Sequence, residues 1–402
     1  MRYFTKKICP FFLAFSILFG CFAFLASAEE DVVPISENET LTSDMGINDG
    51  ALKLNCQSAV LMEATTGRIL YVQNSSEALP PASVTKIMTL LLIMEAVDSG
   101  KLKLTDTVTV SEYAASMGGS QVFLKVGEQM TLNDMLKSVV IASANDAAVA
   151  LAEHLCGSVD AFVTKMNEKA KLLGMENTSF ENVTGLDDTA QNHLTSAKDI
   201  AIMSRELIKH QTILQYSSIW MDSIRNGEFG LTNTNRLVRF YPGCTGLKTG
   251  STSKAGFCIS VTAQRENLSL ICVIMGAESR DIRNAAATSL LDWGFANYGL
   301  YSAPEGEIEP LRVTGGMKNN CSVHYDAFSC VLPKEKISKV EQVFETPDKI
   351  VAPVAEGDTI GTVIYRCENE EIGRQNLIAS ETVKRIHFFE ILKRMTAAFS
   401  LI

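Results

Sequence analysis

The chain has 402 residues, 46% apolar, 20% charged and 7% aromatic, which is long enough to bury a full core and too apolar for disorder throughout. Its 36 Lys and Arg face 46 Asp and Glu, a net charge of −10. With no basic excess to release counterions, nucleic acid is excluded as a general partner, and no collagen or coiled-coil bias is present.

The first 28 residues read as a secretory signal: Arg2, Lys6 and Lys7, an apolar run over 8–25, then Ala26-Ser27-Ala28, with cleavage expected after Ala28. Its loss removes three cations and no anions, leaving 33 cations against 46 anions and a net charge of −13. A retained anchor is the alternative, because the run approaches membrane-spanning length. A lipoprotein reading of Leu18-Phe19-Gly20-Cys21 is weaker, since bulky Phe19 stands where a small residue is wanted. Residues 29–51 carry seven acids and no base and are expected to form a solvated tether.

Order is expected from residue 52. Apolar runs over 58–64 and 68–73 flank Thr65-Thr66-Gly67 and predict a β-hairpin. Pro80-Pro81-Ala82 ends the strand, and 83–97 is a continuous apolar stretch suited to a buried helix. Further helices are predicted over 132–142, 146–155, 161–173 and 197–209, with Thr131/Asp134 and Ser196/Asp199 as capping pairs. Strands follow over 246–250, 256–263 and 268–276, and a closing helix over 281–295. This is an α/β pattern in which the terminal segments of a 52–300 domain share one sheet. Helix signals then stop, and short alternating runs such as 351–354 and 359–365, with turns at Gly315-Gly316 and Glu356-Gly357-Asp358, predict a small all-β domain over 301–380. Residues 381–402 space Ile386, Phe389, Leu392, Met395, Phe399 and Ile402 among Lys384, Arg385, Lys393 and Arg394, an amphipathic basic helix suited to a membrane surface.

Of the ten cysteines, Cys9 and Cys21 fall in the signal; the other eight are expected to be mostly buried thiols, with Cys258 and Cys272 as unbonded cross-strand neighbours. The five histidines lack HExxH or comparable ligand spacing, so no metal or cofactor is expected.

Three short motifs carry chemistry. Ser83-Val84-Thr85-Lys86 places a hydroxyl and an amine three residues apart, where they share a helix face, and the apolar neighbours promise the burial that lowers a lysine pKa toward general-base use. Alone it is weak, because Ser251 to Lys254 repeats the pattern and Ser83 also suits a helix cap. Ser143-Ala144-Asn145, between two apolar helices, offers a hydroxyl and an amide beside Lys86, although either end residue also suits a cap. Lys248-Thr249-Gly250, on a strand, offers a cation and a hydroxyl to an anion, with Gly250 admitting a substrate backbone.

In this order behind an export signal, the three are the set of penicillin-binding proteins and related β-lactamases. Together with SANDAAVALAEHL, VTGLDDTAQNHLTSAKDIAIMSREL, NTNRLV, YPGCTGLKTGSTSKAGF and LLDWGF, they make residues 52–295 resemble the serine-type D-alanyl-D-alanine carboxypeptidases, the low-molecular-mass penicillin-binding proteins. Residues 306–379 look like that family's membrane-proximal β domain and the last helix like its anchor. The resemblance implies a penicillin-binding/β-lactamase-like transpeptidase domain (α/β, a sheet flanked by helices) plus a small C-terminal all-β domain and an amphipathic helix. It implies removal of D-alanine from peptidoglycan stem peptides, acylation by β-lactam antibiotics, and residence at the extracytoplasmic face of the bacterial membrane. Ser83 would be the acylated nucleophile, Lys86 its base and Ser143 the relay to the leaving amine, with Asn145 holding Lys86 and a substrate amide. Lys248 and Thr249 would bind the terminal carboxylate, and the N–H groups of Ser83 and Ser251 would form the oxyanion hole. Ala144 stands where many relatives carry Gly, and Ser251-Thr252 where some carry His-Thr. A class A-like β-lactamase and a non-catalytic penicillin-sensing or wall-binding protein are the competing readings.

Overall fold

The apolar runs at the two ends of the first domain meet in one antiparallel sheet. β1 (Ser58–Glu63) and β2 (Ile69–Gln73) form the hairpin, and β3 (Cys244–Thr252), β4 (Gly256–Arg265) and β5 (Leu268–Ala277) complete the order β2-β1-β5-β4-β3, leaving β3 at an edge. The structure, a computed structural model, describes residues 52–399 except Thr189; the expected signal, the tether and Ile402 lie outside the described residues.

Both faces of this sheet are covered, which is why its strands read as continuous apolar runs. Val60, Met62, Val273 and Met275 join the core of α1 (Lys86–Asp98), α2 (Leu132–Ile141), α3 (Asn145–Cys156), α4 (Val159–Leu172) and α5 (Ala197–Lys209). Ala59, Leu61, Cys272 and Ile274 pack with Ala287, Leu290 and Leu291 of α6 (Arg280–Asn297). α1 is buried from Lys86 through Met94, as its unbroken apolar sequence requires.

The expected caps form: Thr131 Oγ1 accepts from the Asp134 N–H and Ser196 Oγ from the Asp199 N–H, each at 3.1 Å. α4 starts earlier than expected because Ser158 accepts from the Ala161 N–H at 3.2 Å. The helix expected from Ser83 begins instead at Lys86. Ala82–Thr85 is a turn of 3₁₀ helix, entered through Ala82 at a left-handed φ of 49°. Cys258 and Cys272 are not cross-strand neighbours: Cys272 faces Val261 and Cys258 faces Gly250, and the two thiols enter opposite cores. All eight described cysteines are free, four of them buried. The hairpin of Met221–Ile224 with Phe229–Thr232 went unpredicted because strands this short show no period.

Tyr298–Ala303 continues from α6 and pairs with Phe328–Pro333 of the β-rich region. There six strands lie in the order Val340–Glu345, Thr359–Cys367, Glu370–Ala379, Asn320–Tyr325, Gly306–Thr314, Ile350–Val351. The last helix, α7 (Phe388–Phe399), starts later than its apolar spacing suggests, because Val383 and Arg385 bridge to Val354 and Gly316 of this region. Phe388, Phe389, Leu392 and Met395 of α7 are exposed.

Candidate active site

The 3₁₀ turn brings Ser83 and Lys86 together, since side chains at i and i+3 eclipse in that geometry. Lys86 Nζ donates to Ser83 Oγ at 2.9 Å and to Thr184 O at 3.0 Å. Lys86 is fully buried. Burial, and then the nearby Lys248 cation, hold its pKa well below the ordinary lysine value, against a smaller opposing pull from Asp146. The Asp146 carboxylate is itself occupied by the N–H groups of Val122, Leu124 and Ala147.

Ser143 sits between α2 and α3 at φ 62°, and its hydroxyl accepts from Lys248 Nζ at 2.8 Å. It caps nothing, for Ala144 is the N-cap of α3 and no side chain caps it. Asn145, also read as a cap or as a holder of Lys86, instead donates through Nδ2 to Gly118 O at 2.7 Å. Its buried Oδ1 has no partner.

The Lys-Thr-Gly strand is not an exposed edge: Lys248 is 1% and Thr249 6% exposed. Burial, and then Arg283, push Lys248 down to about 7. Thr249 Oγ1 donates to Thr234 Oγ1 at 2.8 Å. Gly250 lies against the Ser83 turn, where a Cβ would stand 2.8 Å from Ser83 N and 2.9 Å from Pro81 O. The close approach expected there for a substrate is thus made first by the protein's own backbone. Ser251 is exposed beside it, and Thr252 Oγ1 donates to Asp187 Oδ2 at 2.5 Å, fastening Asp187 to the end of β3.

These side chains share a cleft of about 610 Å³ with Ser83, Ser143, Thr249, Gly250 and Ser251 on its walls. Lys86, Asn145 and Lys248 stand behind those walls. Arg236, Arg280 and Arg283 line the cleft as well, and among the described residues no carboxylate does. Arg283 is buried, donates to Cys258 O at 3.4 Å, and is lowered to about 10 by burial and then Arg280. Thr184, Thr234 and Arg283 were not singled out in the sequence. Thr184 and Thr234 fall in quoted blocks, while Arg283 carries no local signal.

A family model described as D-alanyl-D-alanine carboxypeptidase matches residues 45–279, and one described as penicillin-binding protein 5, C-terminal domain, matches 306–385. The chain is 43% identical over 357 residues to D-alanyl-D-alanine carboxypeptidase DacF of Bacillus subtilis, covering 87% of this chain and 91% of that one. It is 33% identical over 350 residues to D-alanyl-D-alanine carboxypeptidase DacC of Escherichia coli, covering 84% and 87%. Among solved structures, penicillin-binding protein 5 from Haemophilus influenzae superposes with a TM-score of 0.73 at 33% identity, over 83% of this chain and 99% of that one. Penicillin-binding protein D2 from Listeria monocytogenes in its ampicillin-bound form gives 0.56 at 30% identity, over 61% and 99%.

Proposed function

This chain belongs to the D-alanyl-D-alanine carboxypeptidase family, and from that premise we propose that Ser83 is its acylated nucleophile and Lys86 the base that activates it. It is a serine acyl-transfer hydrolase that removes the terminal D-alanine from peptidoglycan stem peptides and is acylated by penicillins. The observation that carries the assignment is the 2.9 Å contact between Ser83 Oγ and the fully buried Lys86 amine.

A neutral Lys86 has two N–H bonds and a lone pair. In that form one N–H stays on Thr184 O and the contact with Ser83 reverses, the lone pair accepting the Ser83 proton. Ser83 Oγ attacks the carbonyl of the penultimate D-alanine, and the oxyanion forms between the N–H groups of Ser83 and Ser251. Collapse breaks the amide bond as Ser143 gives its hydroxyl proton to the departing D-alanine nitrogen and is reprotonated with the proton that Lys86 took from Ser83, which leaves Lys86 neutral again. Lys86 then takes a proton from water as the water oxygen attacks the ester, and returns it to Ser83 Oγ as that oxygen leaves. Thr249 on the cleft wall and Lys248 just behind it hold the terminal carboxylate, with Arg283 adding positive charge from the cleft lining. Asn145 anchors the Ser143 turn from behind the cleft wall by donating to Gly118 O.

A deacylating carboxylate, which the β-lactamase reading needs, is missing from the residues lining the cleft. Relatives that are D-alanyl-D-alanine carboxypeptidases favour an enzyme over a purely sensing protein.

The enzyme is exported and works at the extracytoplasmic face of the membrane, with 52–300 as the catalytic domain, 301–380 as a β-rich spacer and the terminal helix on the lipid surface. The exposed apolar face of α7 and its neighbouring cations support surface attachment.

Incubation with a pentapeptide ending in D-Ala-D-Ala should release free D-alanine, and Ser83→Ala should abolish both that release and covalent labelling by fluorescent penicillin. Lys86→Ala should slow acylation by roughly 10²- to 10⁴-fold. Labelling of Ser83→Ala at the normal rate would overturn the assignment.

A further inference from the structure

The peptide that joins Ala82 to Ser83 is gripped from behind the cleft. Ala82 is buried in the left-handed conformation, unfavourable for a residue with a Cβ. Its carbonyl oxygen accepts from Thr85 Oγ1 at 2.8 Å, and Gly185 packs so closely that a Cβ there would stand 1.8 Å from the same oxygen. Thr85 Oγ1 is in turn 2.7 Å from His193 Nε2. The Glu181 N–H donates to His193 Nδ1 at 2.9 Å, so Nδ1 is the acceptor and Nε2 carries the proton. The chain of donation therefore runs from His193 to Thr85 to the Ala82 carbonyl. Burial pushes His193 down to about 4, which keeps this tautomer in place at neutral pH. Thr85 and His193 are both buried, and neither lines the cleft.

A trans peptide is planar, with its C=O and N–H pointing in opposite directions. Whatever fixes the Ala82 oxygen therefore fixes the direction of the Ser83 N–H. We propose that His193 and Thr85 are positioning residues that aim the Ser83 N–H at the developing oxyanion. The inference rests on the assignment of Ser83 as nucleophile and adds to it a pair that touches neither substrate nor base. Because the aim matters when charge develops, its loss slows the acylation step and leaves initial binding intact.

The test is rapid mixing of fluorescent penicillin with the full chain, resolving the first-order acylation constant from the dissociation constant of the initial complex, normalised to active enzyme. H193F and T85V should each lower the acylation constant by about ten- to a hundredfold with binding unchanged. The double variant should be no slower than the worse single one, because both break the same chain. H193Q, which retains a donor and an acceptor, should recover most of the rate; if H193F does not fold, T85V carries the test. Acylation within about twofold of the unmodified enzyme in folded T85V, losses that multiply in the double variant, or an H193Q as slow as H193F would each overturn the proposal. Ser83→Ala run in parallel separates the two claims: its failure to label, beside normal T85V, sinks this inference alone, whereas its normal labelling sinks the assignment beneath it.

Discussion

Gly250 and Ser83 meet backbone to backbone at the mouth of the cleft, where a Cβ on Gly250 would come within 2.8 Å of the Ser83 nitrogen and 2.9 Å of the Val84 nitrogen. Backbone atoms cannot rotate away as a side chain can. Gly250→Ala should therefore push β3 and the 3₁₀ turn apart, slowing acylation about a hundredfold, because reacting groups tolerate little misplacement. The melting temperature should fall only modestly, with a stability loss of about 1–3 kcal/mol. Stopped-flow penicillin labelling and thermal denaturation measure the two effects, and unchanged acylation would show that the contact is not needed for catalysis.

If Lys248 binds the carboxylate as proposed, it should give the enzyme an alkaline limit. Burial, and then Arg283, hold it to about 7, so in the free enzyme its charge is lost as pH rises through that value, and the carboxylate loses its cation. The kcat/KM profile should fall on the alkaline side from near pH 7. The bound carboxylate favours the charged lysine, so the corresponding limb of kcat should lie at higher pH. A flat kcat/KM between pH 7 and 9 would remove Lys248 from carboxylate binding.

The proposed attachment through α7 can be tested separately from folding. Val383 is buried in the β-rich region and must be kept, so the informative truncation removes residues from His387 onward. The full chain should sediment with vesicles containing anionic lipid, losing about 1 kcal/mol for each of Lys393 and Arg394 removed. The truncated protein should stay in the supernatant with unchanged carboxypeptidase activity. Equal sedimentation of both would place the attachment elsewhere.

The burial of the first motif was legible because it is contiguous and its neighbours announce it: Lys86 is followed by an apolar run and is fully buried. The two-sided sheet was legible from its continuous apolar strands. What stayed hidden depends on contacts distant in sequence. The bond from Lys248 to Ser143 spans 105 residues, and Arg283 reaches the cleft from a helix whose sequence carries no functional signal. The 3₁₀ turn at Ser83 follows from Ala82 in a conformation that its sequence does not favour, held by Gly185, Thr85 and, through Thr85, His193. Cys258 and Cys272 were misplaced because strand register is fixed by pairing, which neither run reveals alone.

On the proposed assignment, carboxypeptidase action depends on a free carboxylate meeting Lys248 and Thr249, and a comparison of two peptides tests it most directly. A charge-assisted pair in a partly dry cleft is worth about 1.5–3 kcal/mol. Amidating the C-terminus of a peptide ending in D-Ala-D-Ala should therefore lower kcat/KM by about tenfold to a few hundredfold. Thr249→Val should show a smaller loss, and that loss should shrink on the amide because part of the shared interaction is already gone. Equal turnover of acid and amide by the unmodified enzyme would contradict recognition of the carboxylate and point to internal cleavage instead.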